Sequence, residues 1–240
     1  MNLLLLFSED LVAPNEAIVR GDRRDHVARV LRAGPGDRLR VGLLDGMLGQ
    51  ATVTALDDSC LRLALELREA PPEPLPVHLV LALPRPKFLG RILQGSAAMG
   101  VKRIVLLGTS RVERSYWQSS ILDAEAVGRQ LLLGLEQGRD TVLPVVESWP
   151  AFRRFVAERL EDLLAQRLGL VAHGDAPTPF PRGPVGPATL FVGPEGGFLD
   201  DEVATLRDAG ALPVSLGGRP LRVEQAVSVL LGRLMPDFSP

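Results

Sequence analysis

The chain has one cysteine in 240 residues, two lysines and no long hydrophobic run. Because Cys60 has no partner for an internal disulfide, we expect a reducing, cytoplasmic environment. No stretch approaches the roughly 18 apolar residues of a membrane helix, so we expect no membrane partner. The apolar run Leu3–Phe7 has no basic leader and is followed by polar residues, which predicts a buried first strand instead of a signal peptide.

The sequence also lacks the short motifs of several common site types. It has no cluster of histidine and cysteine with metal-ligand spacing, so we predict no metal. The glycine-rich stretch "GPEGG", residues 193–197, has neither the Lys-Ser/Thr ending of a Walker loop nor the Gly-x-Gly-x-x-Gly spacing of a dinucleotide fingerprint. Those two nucleotide-binding classes are therefore excluded.

Charge is nearly balanced overall, with a net charge of −2, but it is not evenly distributed. Residues Arg20–Arg40 contain seven arginines and His26 against three aspartates. A basic island of this kind is typical of proteins that bind phosphate backbones. A solvated helix face, partly balanced by its own aspartates, explains the same pattern.

One stretch predicts a domain boundary. In "APPEPLP", Ala70–Pro76, four of the last six residues are prolines, which neither a helix nor an inner strand can accommodate. We therefore predict a domain of residues 1–70, a linker of residues 71–76 and a second domain of residues 77–240.

The first domain is predicted to be mostly β, because short apolar runs alternate with turn residues. After the first strand, Asn2–Phe7, we predict strands at Arg38–Leu43, Gly49–Ala55 and Cys60–Leu67, the last two forming a hairpin. A helix over Arg23–Leu31, capped by Asp22, is expected to turn Val27, Val30 and Leu31 inward. A small barrel with one helix is the predicted shape.

The second domain alternates strand and helix patterns, which indicates an α/β fold with a parallel sheet. Helices are predicted for residues 87–99, 116–137, 152–168, 199–209 and 223–235. The last of these carries an apolar stripe that suits either core packing or a subunit interface.

Three glycine-containing loops follow the late strands, namely "HGDA", "GPEGG" and "GGRPLR". Ligands of open parallel sheets bind beyond the carboxyl ends of the strands, and glycine lets a flat ligand lie against bare backbone. Each loop alone fits a tight turn, whereas the three together favour a pocket. Next to them, Arg222 could bind a phosphate or pair with Glu195, and Glu224 lies near a helix N-terminus where the dipole favours it.

These motifs resemble a known family. "FVGPEGGF" followed by "LGGRPLRVEQAV" is similar to the paired motifs of the knotted SPOUT methyltransferases, and in particular of the bacterial enzymes that methylate N3 of a uridine in 16S ribosomal RNA. "DHVARVLRAGPGDRLRVGLLDG" is similar to the pattern of that family's PUA-like barrel, so the resemblance spans nearly the whole chain. It implies a PUA-like β-barrel, an α/β domain with a C-terminal trefoil knot, S-adenosylmethionine as cofactor, the small ribosomal subunit as partner, and a homodimer.

The resemblance also implies roles for individual residues. Arg222, Glu224 and Glu195 are the catalytic candidates, with Arg222 stabilising the uracil and the glutamates accepting its proton or orienting Arg222. The candidate cofactor contacts are Ala172, His173, Val192, Gly193, Pro194, Gly196, Gly197, Leu216, Gly217 and Leu221. The candidate RNA contacts are Arg20, Arg23, Arg24, Arg29, Arg32 and Arg38.

This sequence departs from the family pattern at Val223 and Gln225, where hydroxyl residues are usual, and at Gly95 and Ala98, where Lys and Glu are usual. Two other functions stay open, and these departures favour the second of them. One is a related enzyme that methylates a ribose oxygen of another RNA, and the other is an RNA-binding assembly factor without catalysis.

Overall fold

The structure is a computed structural model that describes residues 2–236. The outer ends of the two predicted domains, residue 1 and residues 237–240, lie outside the described residues. Two compact units are present: Met1–Glu73 with Leu132–Leu143, and Pro74–Leu131 with Pro144–Pro240. Within the described residues, no helix is both long enough and apolar enough to span a bilayer.

The predicted assignment of residues 132–143 to the second domain was wrong. These residues belong to the first unit because Leu135 packs in a cluster with Leu3, Leu5 and Leu48. The predicted linker is also shorter than expected, since a strand begins at Leu75. The proline-rich stretch therefore marks the boundary between the two units, but its last residues, Leu75 and Pro76, already belong to a strand.

The first unit contains a six-stranded sheet in the order β1-β4-β5-β6-β3-β2. Its strands are β1 (Leu4–Leu6), β2 (Leu11–Ala13), β3 (Glu16–Val19), β4 (Arg38–Leu43), β5 (Leu48–Leu56) and β6 (Leu61–Glu69). Only β1 and β4 pair in parallel, and the predicted β5–β6 hairpin is confirmed as an antiparallel pair. The described ladder has β1 and β2 at its two edges, so closure into a barrel stays a prediction.

The helix predicted over Arg23–Leu31 differs from the observed structure. Helix α1 (Gly21–His26) continues as a π-helical turn over Val27–Leu31. Asp22 lies within the first turn, after the capping position Arg20, instead of capping the helix. Val27 is buried as predicted, but Val30 and Leu31 are exposed, because the π turn rotates them away from the face that Val27 defines.

The second unit is built on a six-stranded sheet, all parallel, in the order β12-β10-β11-β7-β8-β9. Its strands are β7 (Leu75–Ala82), β8 (Val101–Leu107), β9 (Val145–Trp149), β10 (Leu168–Ala172), β11 (Ala188–Val192) and β12 (Leu212–Val214). The helices of this unit are α2 (Pro86–Ala98), α4 (Phe152–Glu158), α5 (Leu160–Leu164), α6 (Asp200–Asp208) and α7 (Val223–Leu234). Helix α3 (Ala124–Gly138) begins in this unit and belongs to the first unit from Leu132 onward. The predicted parallel α/β sheet is confirmed.

Two predicted helices of this unit were too long. The stretch from residue 116 to α3 forms two 3-10 turns, Arg114–Gln118 and Ser120–Leu122. The stretch predicted as one helix over 152–168 breaks at Arg159 into α4 and α5, and β10 already begins at Leu168.

Burial explains the continuous apolar pattern of the central strands. Every residue of β11 is buried, as expected for a parallel strand in the interior of a covered sheet. Phe191 packs in one cluster with Phe155 and Phe198, which anchors the chain directly after β11.

Candidate functional site

A cavity of about 590 Å³ lies at the carboxyl ends of β10, β11 and β12, within the second unit. It is lined by Ala172, His173, Gly174, Asp175, Val192, Gly193, Pro194, Glu195, Gly197, Val214, Ser215, Leu216, Gly217, Gly218, Arg219, Pro220, Leu221, Arg222, Val223, Ala226 and Leu230. All three loops that the sequence identified contribute to it.

Strand register brings these loops together. Ala172 pairs with Val192 on one side and with Val214 on the other, so the three strands end at one level. Because the strands are parallel, the chain leaves all three at the same edge of the sheet. Helix α7 supplies an apolar side of the cavity through Val223 and Leu230.

The turn at 193–197 has a tight backbone that requires glycine at positions 193 and 197. The Gly197 amide donates to the Pro194 carbonyl at 2.8 Å, and Gly197 has a φ of +73°. A Cβ atom on Gly193 would lie 2.9 Å from the Phe198 nitrogen, which is closer than real Cβ atoms approach. At Gly193 and Gly197 the turn therefore presents main-chain groups to the cavity with no side chain of their own, beside the side chains of Pro194 and Glu195.

Other loops of the unit hold this turn in place. The Arg111 guanidinium donates to the Gly196 carbonyl and, at 3.5 Å, to the Phe198 carbonyl. On the other side, the Arg85 amide donates to the Glu195 carboxylate at 3.0 Å. Sequence reasoning missed both arginines, because no local pattern shows that the loops after β7 and β8 meet the loop after β11.

Buried Glu202 extends this support. Its carboxylate accepts hydrogen bonds from the Ser110 and Leu199 amides, both at 2.8 Å. It thereby joins the start of α6 to the loop after β8. The only signal in the sequence was its position three residues after Leu199, which is the spacing of a capping residue.

The segment 173–187 lies beside the end of β12. On one side the Ser215 hydroxyl donates to the Gly174 carbonyl at 2.9 Å. On the other, the Ser215 amide donates to the Thr178 carbonyl at 2.9 Å, and the Phe180 amide donates to the Ser215 carbonyl at 2.8 Å. The chain that leads from β12 to α7 is thus bonded to this segment at several points.

Of the predicted cofactor contacts, all except Gly196 line the cavity. Gly196 lies in the same turn, but its carbonyl is held by Arg111. The side chains and backbone that the prediction missed include Asp175, Ser215 and Arg219. Asp175 and Arg219 lie in the loops "HGDA" and "GGRPLR", which the sequence had identified as parts of the pocket without singling out these two residues.

The catalytic candidates are divided. Arg222 and Glu195 line the cavity, whereas Glu224 is not among its lining residues. Arg222 directly precedes α7 and is exposed. Among the described residues, no ion pair joins Arg222 to either glutamate, so the predicted Arg222–Glu195 pair is not formed here. In the same part of the chain, no group of three or more histidine, cysteine or carboxylate side chains is arranged to hold a metal ion.

Two of the predicted RNA contacts have partners inside the first unit. Arg23 donates to both oxygens of buried Asp10, at 2.6 and 2.8 Å, and stacks 4.5 Å above the Phe7 ring centre. Arg24 is buried and donates to the Asp57 carbonyl at 2.8 Å. These bonds hold both guanidinium groups within the fold of the unit, and the predicted role of the two arginines as phosphate contacts stays a prediction.

The other four predicted RNA contacts, Arg20, Arg29, Arg32 and Arg38, are exposed. Arg29 makes one ion pair, at 3.4 Å, with Asp25. Arg20, Arg32 and Arg38 form no ion pair with any other described residue. These four guanidinium groups are therefore accessible from solvent.

Comparison with known proteins places the chain in a family. The RNA methyltransferase domain family matches residues 71–235. The chain is 31% identical over 234 residues to the ribosomal RNA small subunit methyltransferase E of Treponema pallidum, covering 94% of this chain and 87% of that protein. It is 31% identical over 225 residues to the protein of the same name from Mycobacterium bovis, covering 90% and 84%.

Solved structures agree. A putative methyltransferase from Legionella pneumophila, solved with bound S-adenosylmethionine, superposes with a TM-score of 0.76 at 26% identity, over 98% of this chain and 97% of that one. The ribosomal RNA small subunit methyltransferase E of Neisseria gonorrhoeae has the same fold, with a TM-score of 0.74 at 20% identity over 95% and 94%. The chain thus belongs to the RNA methyltransferase family that includes the ribosomal RNA small subunit methyltransferases E.

Proposed function

We propose that this protein transfers a methyl group from S-adenosylmethionine to N3 of a uridine in 16S ribosomal RNA. The observation that carries this proposal is the cavity at the ends of β10, β11 and β12, whose lining includes nearly every predicted cofactor residue. The names of the relatives supply the substrate class, and the Legionella structure supplies the cofactor. A ribosomal substrate implies that the reaction takes place in the cytoplasm.

The cavity fits such a cofactor. Its volume of about 590 Å³ lies in the range of about 300–1,000 Å³ that is usual for small-molecule sites. The glycine turn offers main-chain donors and acceptors, and the side of the cavity formed by α7 is apolar enough for a purine. Asp175 and Glu195 are carboxylates that suit a ligand with a positive sulfur. When bound, S-adenosylmethionine supplies an electrophilic methyl group.

The chain's own residues would activate the acceptor. Uracil N3 carries a proton and becomes a good nucleophile only when that proton is lost or shared. Arg222 lines the cavity and would stabilise the negative charge that then develops on the uracil oxygens. Glu195, also in the lining, is the better placed proton acceptor, and Glu224 would orient Arg222.

We further propose that the exposed arginines Arg20, Arg29, Arg32 and Arg38 bind RNA phosphates, on a first unit that closes into a PUA-like barrel. Their exposure supports this assignment. Phosphate contacts position RNA and make its binding salt-dependent. Arg23 and Arg24 are left out of this proposed set because their guanidinium groups are bonded within the unit.

A trefoil knot and a homodimer complete the proposal. The bonds of segment 173–187 to Ser215, together with a Gly183 amide bond to the Arg233 carbonyl at 2.9 Å, support a loop that encloses the chain entering α7. The predicted apolar stripe of α7 is buried in its own unit, so core packing explains it. Any dimer contact of α7 would use its other face, where Val229 is exposed.

The test is methyl transfer from labelled S-adenosylmethionine to free 16S RNA and to small ribosomal subunits, followed by nuclease digestion and mass spectrometry. We expect N3-methyluridine at one position. A methyl group on a ribose oxygen would identify a different enzyme. If calorimetry shows no heat of S-adenosylmethionine binding and no methyl group is transferred, the protein would instead be a non-catalytic RNA-binding factor.

A further inference from the structure

The first unit exposes two neighbouring apolar side chains in the π turn that follows α1. Val30 is 63% exposed and Leu31 is 40% exposed. Isolated apolar side chains on a surface need no explanation, but here two adjacent ones lie between arginines. We call residues 29–32 the arginine tip.

The backbone of this tip is irregular in a way that produces the exposure. In the π turn the Arg32 amide bonds to the Val27 carbonyl, and Arg32 adopts a left-handed φ of 54°. A regular α-helix would have placed residues 30 and 31 on the buried face of Val27. Single π turns and left-handed non-glycine residues are concentrated at functional sites.

The charge around the tip indicates what it contacts. The Arg29 side chain is 78% exposed, and Arg32 is exposed without an ion pair to any described residue. Guanidinium groups that flank an apolar pair complement nucleic acid, where phosphates surround the apolar faces of the bases. An apolar protein groove would match the pair but would leave the Arg32 cation, which has no ion pair with any described residue, unmatched.

We propose that Val30 and Leu31 form a wedge that enters a base step of the substrate RNA, while Arg29 and Arg32 bind the phosphates on either side. Apolar side chains inserted between bases unstack them in other nucleic-acid-binding proteins. The inference rests on the proposed RNA substrate and adds to it a residue set that unstacks the RNA. Unstacking would assist a base that must leave its helix to be methylated.

The experiment compares two double variants in RNA binding over a series of salt concentrations. Val30→Ser with Leu31→Ser should lose affinity at least about tenfold at every concentration, with the slope of log K against log salt unchanged, because an apolar contact releases no counterions. Arg29→Ser with Arg32→Gly should instead reduce the slope by about 1.4–1.8, which corresponds to two phosphates.

A matched control and a direct readout complete the test. Val12→Ser changes a valine of the same unit that is 56% exposed on β2, and it should leave RNA affinity unchanged. With 16S RNA fragments that carry 2-aminopurine, the wild type should raise the fluorescence at one step, and the Val30→Ser/Leu31→Ser variant should not. All variants should bind S-adenosylmethionine like the wild type.

Several results would overturn the wedge. They are unchanged RNA affinity of the Val30→Ser/Leu31→Ser variant, no fluorescence rise with the wild type, or a change of oligomeric state in that variant, which would identify a protein interface. If the wild type methylates no RNA at all, the proposed function itself fails. If it does methylate RNA and the wedge variant is fully active, only the wedge fails.

Discussion

Replacing Gly193 with alanine tests whether the turn at 193–197 forms the cofactor site. The added Cβ would lie 2.9 Å from the Phe198 nitrogen and 3.0 Å from two backbone atoms of Gly197, while ordinary contact begins at 3.4 Å. The turn would have to open by roughly 0.5 Å, as the difference between 3.4 and 2.9 Å gives. It cannot open freely, because Arg111 holds Gly196 and Phe198 is anchored in the core.

We expect such a shift to cost about 1–3 kcal/mol of stability, as overpacking does. We expect the affinity for S-adenosylmethionine to fall at least about tenfold, since the main-chain groups that face the cavity move with the turn. Isothermal titration calorimetry with the cofactor measures the second effect, and urea denaturation measures the first.

The matched control is Gly95→Ala in α2, where a Cβ meets no atom within 4 Å. It should leave cofactor affinity unchanged and raise stability by about 0.5–1 kcal/mol, because alanine is the better helix former. If Gly193→Ala bound the cofactor within about twofold of the wild type, the turn would not be the binding element and the reasoning would be refuted.

Three further predictions concern the framework of the two units. Arg23→Ala should lower the free energy of unfolding by about 2–4 kcal/mol, because it leaves the buried Asp10 carboxylate without its cation. The control Arg29→Ala, which breaks an exposed ion pair, should lower it by less than about 0.5 kcal/mol, and urea denaturation measures both. His78 has its pKa lowered to about 4, chiefly by burial and then by nearby Arg167, so the unfolded chain binds its proton first as the pH falls below about 6.5. Its contribution to stability is therefore complete above that pH and is lost toward pH 4, by about 1–2 kcal/mol for a partly exposed ring. The difference between the free energies of unfolding at about pH 7.5 and about pH 4.5 should accordingly be smaller in His78→Gln than in the wild type. Glu202→Gln should cost about 1–2 kcal/mol and lower the melting temperature, since an amide oxygen replaces only one of the two carboxylate acceptors.

Much of the fold followed from local patterns. The alternation of apolar runs and helix-forming stretches predicted the parallel sheet, because each strand of such a sheet is buried on both faces and reads as a continuous apolar run. The β5–β6 hairpin followed in the same way from turn residues between two alternating runs. Helix lengths were less predictable, as the break at Arg159 shows, because the tertiary surroundings of a helical pattern decide where it ends.

The sequence by itself determined the loops that line the cavity. Gly193 and Gly197 could be identified because a turn of this tightness admits no Cβ, and that requirement is local. Tertiary structure alone decided that Arg111 holds this turn and that Arg23 pairs with Asp10, since hydrogen bonds between residues far apart in the chain leave no periodic signal. It also decided that Val30 points outward, because a single π turn changes the face on which helical spacing would place this side chain. The extra residue of such a turn leaves no mark in the apolar pattern of the sequence.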